Sequence, residues 1–343
     1  MILALALSSV VSAAEVSVAA RGHAMNPVWS ADGQWVAFEL NPYQGQNDLY
    51  VIKIVNGNPV GTPQKVALPG SSSQFGGTGN TASAPTWLPQ GQVVFEGTTG
   101  GKGRLFLWKP GGAAAGELLS TTQVSGELSW PTVSPDGKAL TFVSDVTGSG
   151  DIYSWDRASN QVKMLFTSPF SEAGPRYSDD SQKMAYSRKN QGGEDLFVYA
   201  ATQSSPLMGG NGDQTRPVFV GEKVVYFTNE RGGEHWDIAA VTGPGTKVTV
   251  AKDVRLPLRA APALTPDKQW VVYGMDIPAE ASKIRFTSVD GSKTVAYDTG
   301  LVAVGDPSVT KVGDRLYLAF TALPSAGADW RQLHVVDVTD TVK

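Results

Sequence analysis

Residues 27–40 read PVWSADGQWVAFEL. A proline leads a short apolar and aromatic stretch, Ser-Ala-Asp-Gly makes a turn, and Trp35, Val36, Ala37 and Phe38 begin a second apolar run. Glycine at the fourth turn position accepts the positive φ that a tight hairpin needs, and Asp and Ser hydrogen-bond their own backbone there. The phrase therefore predicts two antiparallel strands joined by a tight turn.

Working outward, the same phrase recurs at Pro85 (PTWLPQGQVVFEG), Pro131 (PTVSPDGKALTFVS), Pro175 (PRYSDDSQKMAYSR), Pro217 (PVFVGEKVVYFTN), Pro262 (PALTPDKQWVVYG) and Pro307 (PSVTKVGDRLYLAF). The turn keeps its position in every copy, although its residues degrade from the fourth copy on. A third strand opens on a polar residue at Asp48, Asp151, Asp195 and Asp237, with Lys283 and Gln332 as weaker copies. Fourth strands are expected at 64–70 (QKVALPG) and 246–253 (TKVTVAKD).

A spacing of about 45 residues accommodates four strands of ordinary length with their turns, the size of one propeller blade. The chain is thus predicted to be all-β, a seven-bladed β-propeller of four-stranded blades, since six blades leave one Pro phrase unexplained. The last copy ends after its third strand, 333–338 (LHVVDV), and an orphan strand stands at 15–22 (EVSVAARG). Pairing the orphan with that third strand would close the ring and leave no blade with three strands.

Phrases of the form Pro-x-Trp-Ser-x-Asp-Gly followed by Asp-(Leu/Ile)-Tyr, best seen in residues 27–50 and 131–153, resemble the propeller repeats of the TolB family. That resemblance spans essentially all of residues 15–343. It implies the blade type and not an activity, because similar blades occur in a periplasmic translocation protein, in prolyl oligopeptidase-like peptidases and in oligogalacturonate lyases. Two departures separate this chain from them. There is no room for the α/β domain that precedes the TolB propeller or the hydrolase domain that follows the peptidase propellers, and TolB propellers usually resemble six-bladed rings.

Composition narrows the partners. The 343 residues carry a formal charge of −4 with no run of Lys or Arg, which argues against nucleic acid and against a strongly acidic ligand. Cysteine is absent, so disulfides, thiolate metal sites and a lipidated cysteine are excluded. Residues 1–14, MILALALSSVVSAA, are uncharged and end in small residues, as a secretory signal cut near Ala13 or Ala14 would. The run is too short to span a bilayer. The reading predicts a single propeller domain over 15–343 in the periplasm or secreted; because no Lys or Arg precedes the apolar run, a buried N-terminal strand is the alternative.

The residues that chemistry would need are sparse. No Gly-x-Ser-x-Gly elbow occurs, and the three histidines, His23, His235 and His334, are far apart in sequence. His334 falls within a strand and His23 just after the closing strand, so both read as structural or exposed. Asp179 and Asp180 occupy the turn position, and the Gly-rich stretches 71–80 and 98–103 lack the Gly-Lys-Ser/Thr of a phosphate loop. No cofactor and no metal is expected.

Propeller geometry nominates a surface instead. The residues just before each Pro, namely Asn26, Ala84, Trp130, Gly174, Arg216, Ala261 and Asp306, should ring the channel mouth on the face where the loops between second and third strands also emerge. Within that ring Trp130, Arg216, Asp306 and Asn26 are candidates to hold a partner. From the surrounding loops come Tyr43, Trp330 and the polar and aromatic cluster Arg231, His235 and Trp236. Aromatic residues and Arg are the types that concentrate binding energy. The long interval 70–83 was expected on the same face.

The leading expectation is a non-catalytic propeller that binds a protein or peptide at the channel mouth, as a monomer or as a subunit of a cell-envelope assembly. The alternatives are a carbohydrate-active lyase or hydrolase with a channel metal, and a purely structural envelope component.

Overall fold

The structure is a computed structural model and describes residues 12–42, 46–69, 80–99 and 101–343. It contains seven four-stranded antiparallel sheets. Blade 1 runs His23–Trp29, Trp35–Asn41, Asp48–Val55 and Asn58–Lys65; blade 2 runs Ala82–Trp87, Val93–Thr99, Lys102–Trp108 and Gly116–Glu117. Blade 3 is Leu128–Val133, Ala139–Ser144, Asp151–Asp156 and Gln161–Met164; blade 4 is Glu172–Tyr177, Lys183–Asn190, Gly193–Ala200 and Gln203–Met208. Blade 5 is Gln214–Val220, Lys223–Thr228, Asp237–Gly243 and Thr246–Ala251; blade 6 is Ala263–Leu264, Trp270–Gly274, Lys283–Ser288 and Thr294–Asp298. Blade 7 takes Val302–Val312, Arg315–Leu323 and Gln332–Asp337 from the C-terminal end and its outer strand, Ala14–Val16, from the other end.

Ring closure is therefore as the sequence predicted, through a shorter strand. Ala14, Glu15 and Val16 pair with Val335, His334 and Leu333, and Val16 is buried with Leu333 and Val335 in one apolar cluster. Residues 17–22 leave the sheet. The apolar run read as a signal lies largely in residues 1–11, outside the described residues; Ala14, at its end, already belongs to the closing strand.

The hairpin turns show why the phrase is spaced as it is. Ser30 Oγ donates to Asp32 Oδ1 at 2.5 Å, Asp32 Oδ1 accepts the Gln34 N–H at 3.0 Å, and Ser30 Oγ accepts the Trp35 N–H at 3.0 Å. Ser134 with Asp136, Ser178 with Asp180 and Thr265 with Asp267 repeat this network. The fourth and sixth copies thus keep the chemistry, a hydroxyl followed two residues later by Asp, and lose only the glycine. The fourth position has positive φ at Gly33 (66°), Gly137 (70°), Ser181 (61°) and Lys268 (57°).

The core lies between blades and repeats once per blade. Phe38, Phe95, Phe142, Tyr186, Tyr226, Tyr273 and Phe320 occupy equivalent buried positions on the second strands. Five of them face an aromatic ring on the third strand at 5.4–5.9 Å between centroids: Tyr50, Phe106, Tyr153, Phe197 and, in blade 7, His334. His334 is thus a packing residue, as its place in a strand suggested. Each ring buried this way is worth about 1.5–3 kcal/mol. The Pro-x-Trp phrase staples neighbouring blades: Trp29 Nε1 donates to the Ser308 carbonyl and Trp87 Nε1 to the Val28 carbonyl, each at 3.0 Å.

One expected strand is corrected. The fourth strand of blade 1 is Asn58–Lys65 rather than 64–70. It contains Pro59 and Pro63, which an outer edge strand tolerates because nothing needs their missing N–H. Val66 and Leu68, which suggested a strand, turn inward and pack between blades 1 and 2.

Candidate binding site at the channel mouth

The residue before each Pro is placed by a bulge. In blades 1 to 5 and 7 the pairing between the first and second strands shifts at this point, as between Met25 and Val28 or between Ser129 and Thr132. Residues preceding proline are normally extended. Here Asn26, Ala84, Trp130, Arg216 and Asp306 hold φ between 46° and 55°, and Gly174 57°. A bulge re-aims side chains, and these residues border the axis. Asn26, Ala84, Trp130 and Ala261 line an axial cavity of about 380 Å³. Trp130, Gly174 and Arg216 line a depression of about 490 Å³ over the mouth, and Asp306 lines a side pocket of about 290 Å³.

Blade 6 departs from this pattern. Its first strand is only Ala263–Leu264; Val254 still bridges Met275 and the Arg255 N–H donates to the Gly274 carbonyl, so residues 256–262 are the part that leaves the sheet and runs across the mouth. Arg259 on this segment forms an ion pair with Glu96 of blade 2, and its guanidinium lies 5.1 Å from the centre of the Trp130 ring. Arg216 donates to the Pro257 carbonyl. Leu258 between them is 55% exposed, although it is a large apolar residue. The crossing segment is thus pinned from two blades and presents a leucine outward.

Two buried glutamates underlie it. Glu39 accepts hydrogen bonds from Asn26 Nδ2 (3.0 Å), Asn47 Nδ2 (2.6 Å) and the Ala84 N–H (3.0 Å). Glu96 accepts the Trp130 N–H at 2.6 Å. Burial pushes both carboxyls above the usual range, against the pull of those hydrogen bonds and of Arg259. In each case the glutamate of one blade holds the bulge of the next, fixing the ring of residues at the mouth. Burial lowers Arg216 to about 10, and lowers Arg176, which lines the axial cavity, to about 10 as well.

Of the residues predicted from sequence, Trp130 and Arg216 meet in the central depression and Asp306 borders the side pocket. Asn26 is committed to Glu39 within the channel wall. Trp330 stacks edge-on against His23 at 5.2 Å beside the side pocket. His23 opens the first strand of blade 1 instead of trailing the closing strand. Arg231, His235 and Trp236 stand apart and line none of these three cavities. Arg231 is bound to Asp237 and Asp253, His235 Nδ1 is 3.1 Å from Asp253 Oδ1, and Trp236 packs on the core. Tyr43 and most of the interval 70–83 lie outside the described residues.

Sequence reading missed Arg255, Leu258, Arg259, Glu39, Glu96 and Arg331. A signal for the glutamates was present: VAFEL and VVFEG put Glu directly after the core Phe, where the other blades carry Val, Ser, Phe, Gly or Thr. Among the described residues no group of three or more His, Asp or Glu side chains converges to hold a metal ion, and no helix is long and apolar enough to cross a membrane.

No protein-family model and no curated protein sequence matches the chain. Solved structures do. TolB from Acinetobacter baumannii aligns with a TM-score of 0.57 at 18% identity, covering 81% of this chain and 67% of that one. A Mycobacterium tuberculosis puromycin-hydrolyzing peptidase aligns at 0.63 and 15% identity over 93% of this chain, which spans about half (52%) of the peptidase. An oligogalacturonate lyase in complex with manganese aligns at 0.58 and 10% identity, covering 92% of this chain and 89% of that one. At such identities the likeness is one of fold, and by fold the chain is a seven-bladed β-propeller with TolB propellers among its structural neighbours.

Proposed function

We propose that this propeller is a non-catalytic binding module of the periplasm or the secreted fraction, which holds a peptide or protein segment at the channel mouth, alone or as part of an envelope assembly. The observation that carries this reading is the depression of about 490 Å³ where Trp130, Arg216, Arg259 and the exposed Leu258 meet the amides of Asn41 and Asn47. An aromatic ring and arginines around an exposed aliphatic side chain suit a peptide, which offers apolar side chains and carbonyls together. The uncharged run at residues 1–14 supports export. A lyase or hydrolase acting through a channel metal would need a ligand set at the axis. There the lining carries Glu39 with two arginines, Arg176 and Arg259, and no histidine.

The test is affinity capture from the native host with the full chain, comparing wild type with Trp130→Ala and Arg216→Gln. The reading expects one partner to be retained by wild type and lost at least tenfold by Trp130→Ala, with unaltered thermal unfolding. A partner retained equally by both variants would place binding elsewhere.

A further inference from the structure

Beside the central depression, and sharing Asn41 and Leu258 with it, lies the pocket of about 290 Å³ between blades 6, 7 and 1. Its polar lining is His23, Asn41, Arg255, Asp306 and Arg331. Both arginine side chains are seated against Gly305: a Cβ built there would come within 2.7 Å of Arg331 Nη2 and 2.8 Å of Arg255 Cδ. The pocket thus depends on a residue without a side chain.

The charges in this pocket do not balance. Arg331 is 15% exposed and reaches Asp306 only at 3.9 Å, while its Nη2 donates to Thr321 Oγ1 at 2.6 Å and to the Thr321 carbonyl at 3.1 Å. Arg255 has Asp276 at 3.7 Å, and that aspartate is 61% exposed. The Nε atoms of Arg255 and Arg331 are both buried without a hydrogen-bond partner. Two arginines and one carboxylate therefore line the pocket, and the second acid, Asp276, lies outside its lining. His23 Nδ1 accepts the Arg331 N–H at 3.2 Å, which places the proton of the neutral ring on Nε2. The formal charge of the chain, −4, conceals this local positive surplus.

We propose that this pocket is a carboxylate-binding subsite that takes a terminal or side-chain carboxylate of the peptide held at the mouth, and so selects acidic or C-terminal segments. It rests on the binding reading above for its peptide, and not for its chemistry. A carboxylate accepts two charge-assisted hydrogen bonds from one guanidinium fork, and Leu258 separates this polar end from the Trp130 end of the site.

The experiment follows the His23 ring by NMR in the full chain, whose three histidines leave few resonances to resolve. The probes are sodium acetate, acetyl-Ala-Leu-Ala with a free C-terminus, acetyl-Ala-Asp-Ala amide, and acetyl-Ala-Leu-Ala amide as the uncharged control. The subsite predicts saturable shifts of the His23 signal and a rise in its titration midpoint with acetate and with one or both charged peptides, and none with the control. The tighter of the two charged peptides identifies the source of the carboxylate. Arg255→Gln should weaken the response at least tenfold with the buried His334 signal unmoved; Arg331→Gln should do the same, and if losing its Thr321 contacts unfolds it, Arg255→Gln alone decides. A control that shifts His23 equally, or an Arg255→Gln response within twofold of wild type, overturns the proposal. Acetate binding here while partner capture fails would sink the peptide reading and leave the subsite standing. Capture that needs Trp130 while no probe binds would do the reverse.

Discussion

The ion pair of Arg259 with Glu96 joins residues 163 apart in sequence and ties the segment crossing the mouth to blade 2. Replacing Arg259 with Met keeps an apolar stem and removes the guanidinium that lies over Trp130. Glu96, whose side chain is 11% exposed, would keep only the Trp130 N–H among its present partners. Breaking a buried pair by removing one partner costs about 3–5 kcal/mol, and because the Arg259 side chain is 35% exposed, about 2–3 kcal/mol is expected here. Glu96→Gln retains an acceptor for the Trp130 N–H and leaves Arg259 partly hydrated, for about 1–2 kcal/mol. The double variant should fall short of the sum by about 1–2 kcal/mol.

Urea unfolding of the four proteins measures this cycle. Its pH dependence has a definite sign. A carboxyl raised in the folded state contributes stability that is full below its unfolded pKa and is lost as pH rises through its folded pKa. Removing Arg259 raises Glu96 further, so the Arg259→Met penalty should be largest near pH 8 and shrink as pH falls toward 5. Additive single variants, or a penalty independent of pH, would refute the claim that this pair holds the mouth together.

His334 is an imidazole in a position that blades 1 to 4 give to Tyr or Phe, and its buried Nε2 has no partner. Burial lowers its pKa, so stability is lost as pH falls below its unfolded value; His334→Phe should add about 1–2 kcal/mol and flatten thermal unfolding between pH 6.5 and 5. Val16→Asp puts a charge into the closing strand and should cost at least about 2 kcal/mol, with faster hydrogen exchange at residues 332–337; unchanged exchange there would argue against closure by this strand. Ser134→Ala removes one hydroxyl from a turn network repeated in four blades and should cost only about 1 kcal/mol, read by thermal unfolding.

The fold was legible because its signals are local. Proline marks the bulge, an aromatic in the second strand makes the core in every copy, and in four of them a hydroxyl two residues before Asp makes the turn, so each copy announces a blade without reference to the others. Ring closure followed from counting strands. Candidate site residues were legible only where the repeat itself positions them, as at Trp130, Arg216 and Asp306. Leu258 and Arg259 are not in register with anything, because blade 6 gives up most of its first strand to release them, while Arg255 still bonds the second strand through its N–H to Gly274; the trace is RLPLR at 255–259, where strand residues should begin. Their partners come from blades 2, 5 and 7, a proximity that exists only once the ring is closed. Arg231, His235 and Trp236 stand away from the mouth. Their types suited a binding surface, but Asp237 and Asp253 engage Arg231 and Asp253 engages His235.

The central claim is that a partner is held at this mouth, and hydrogen exchange of the full chain with and without its captured partner tests it most directly. The account predicts protection of residues 256–262 and of the bulges at Trp130 and Arg216, with the outer strands of the blades unchanged. Protection confined to the outer strands, with residues 256–262 exchanging as in the free chain, would contradict it.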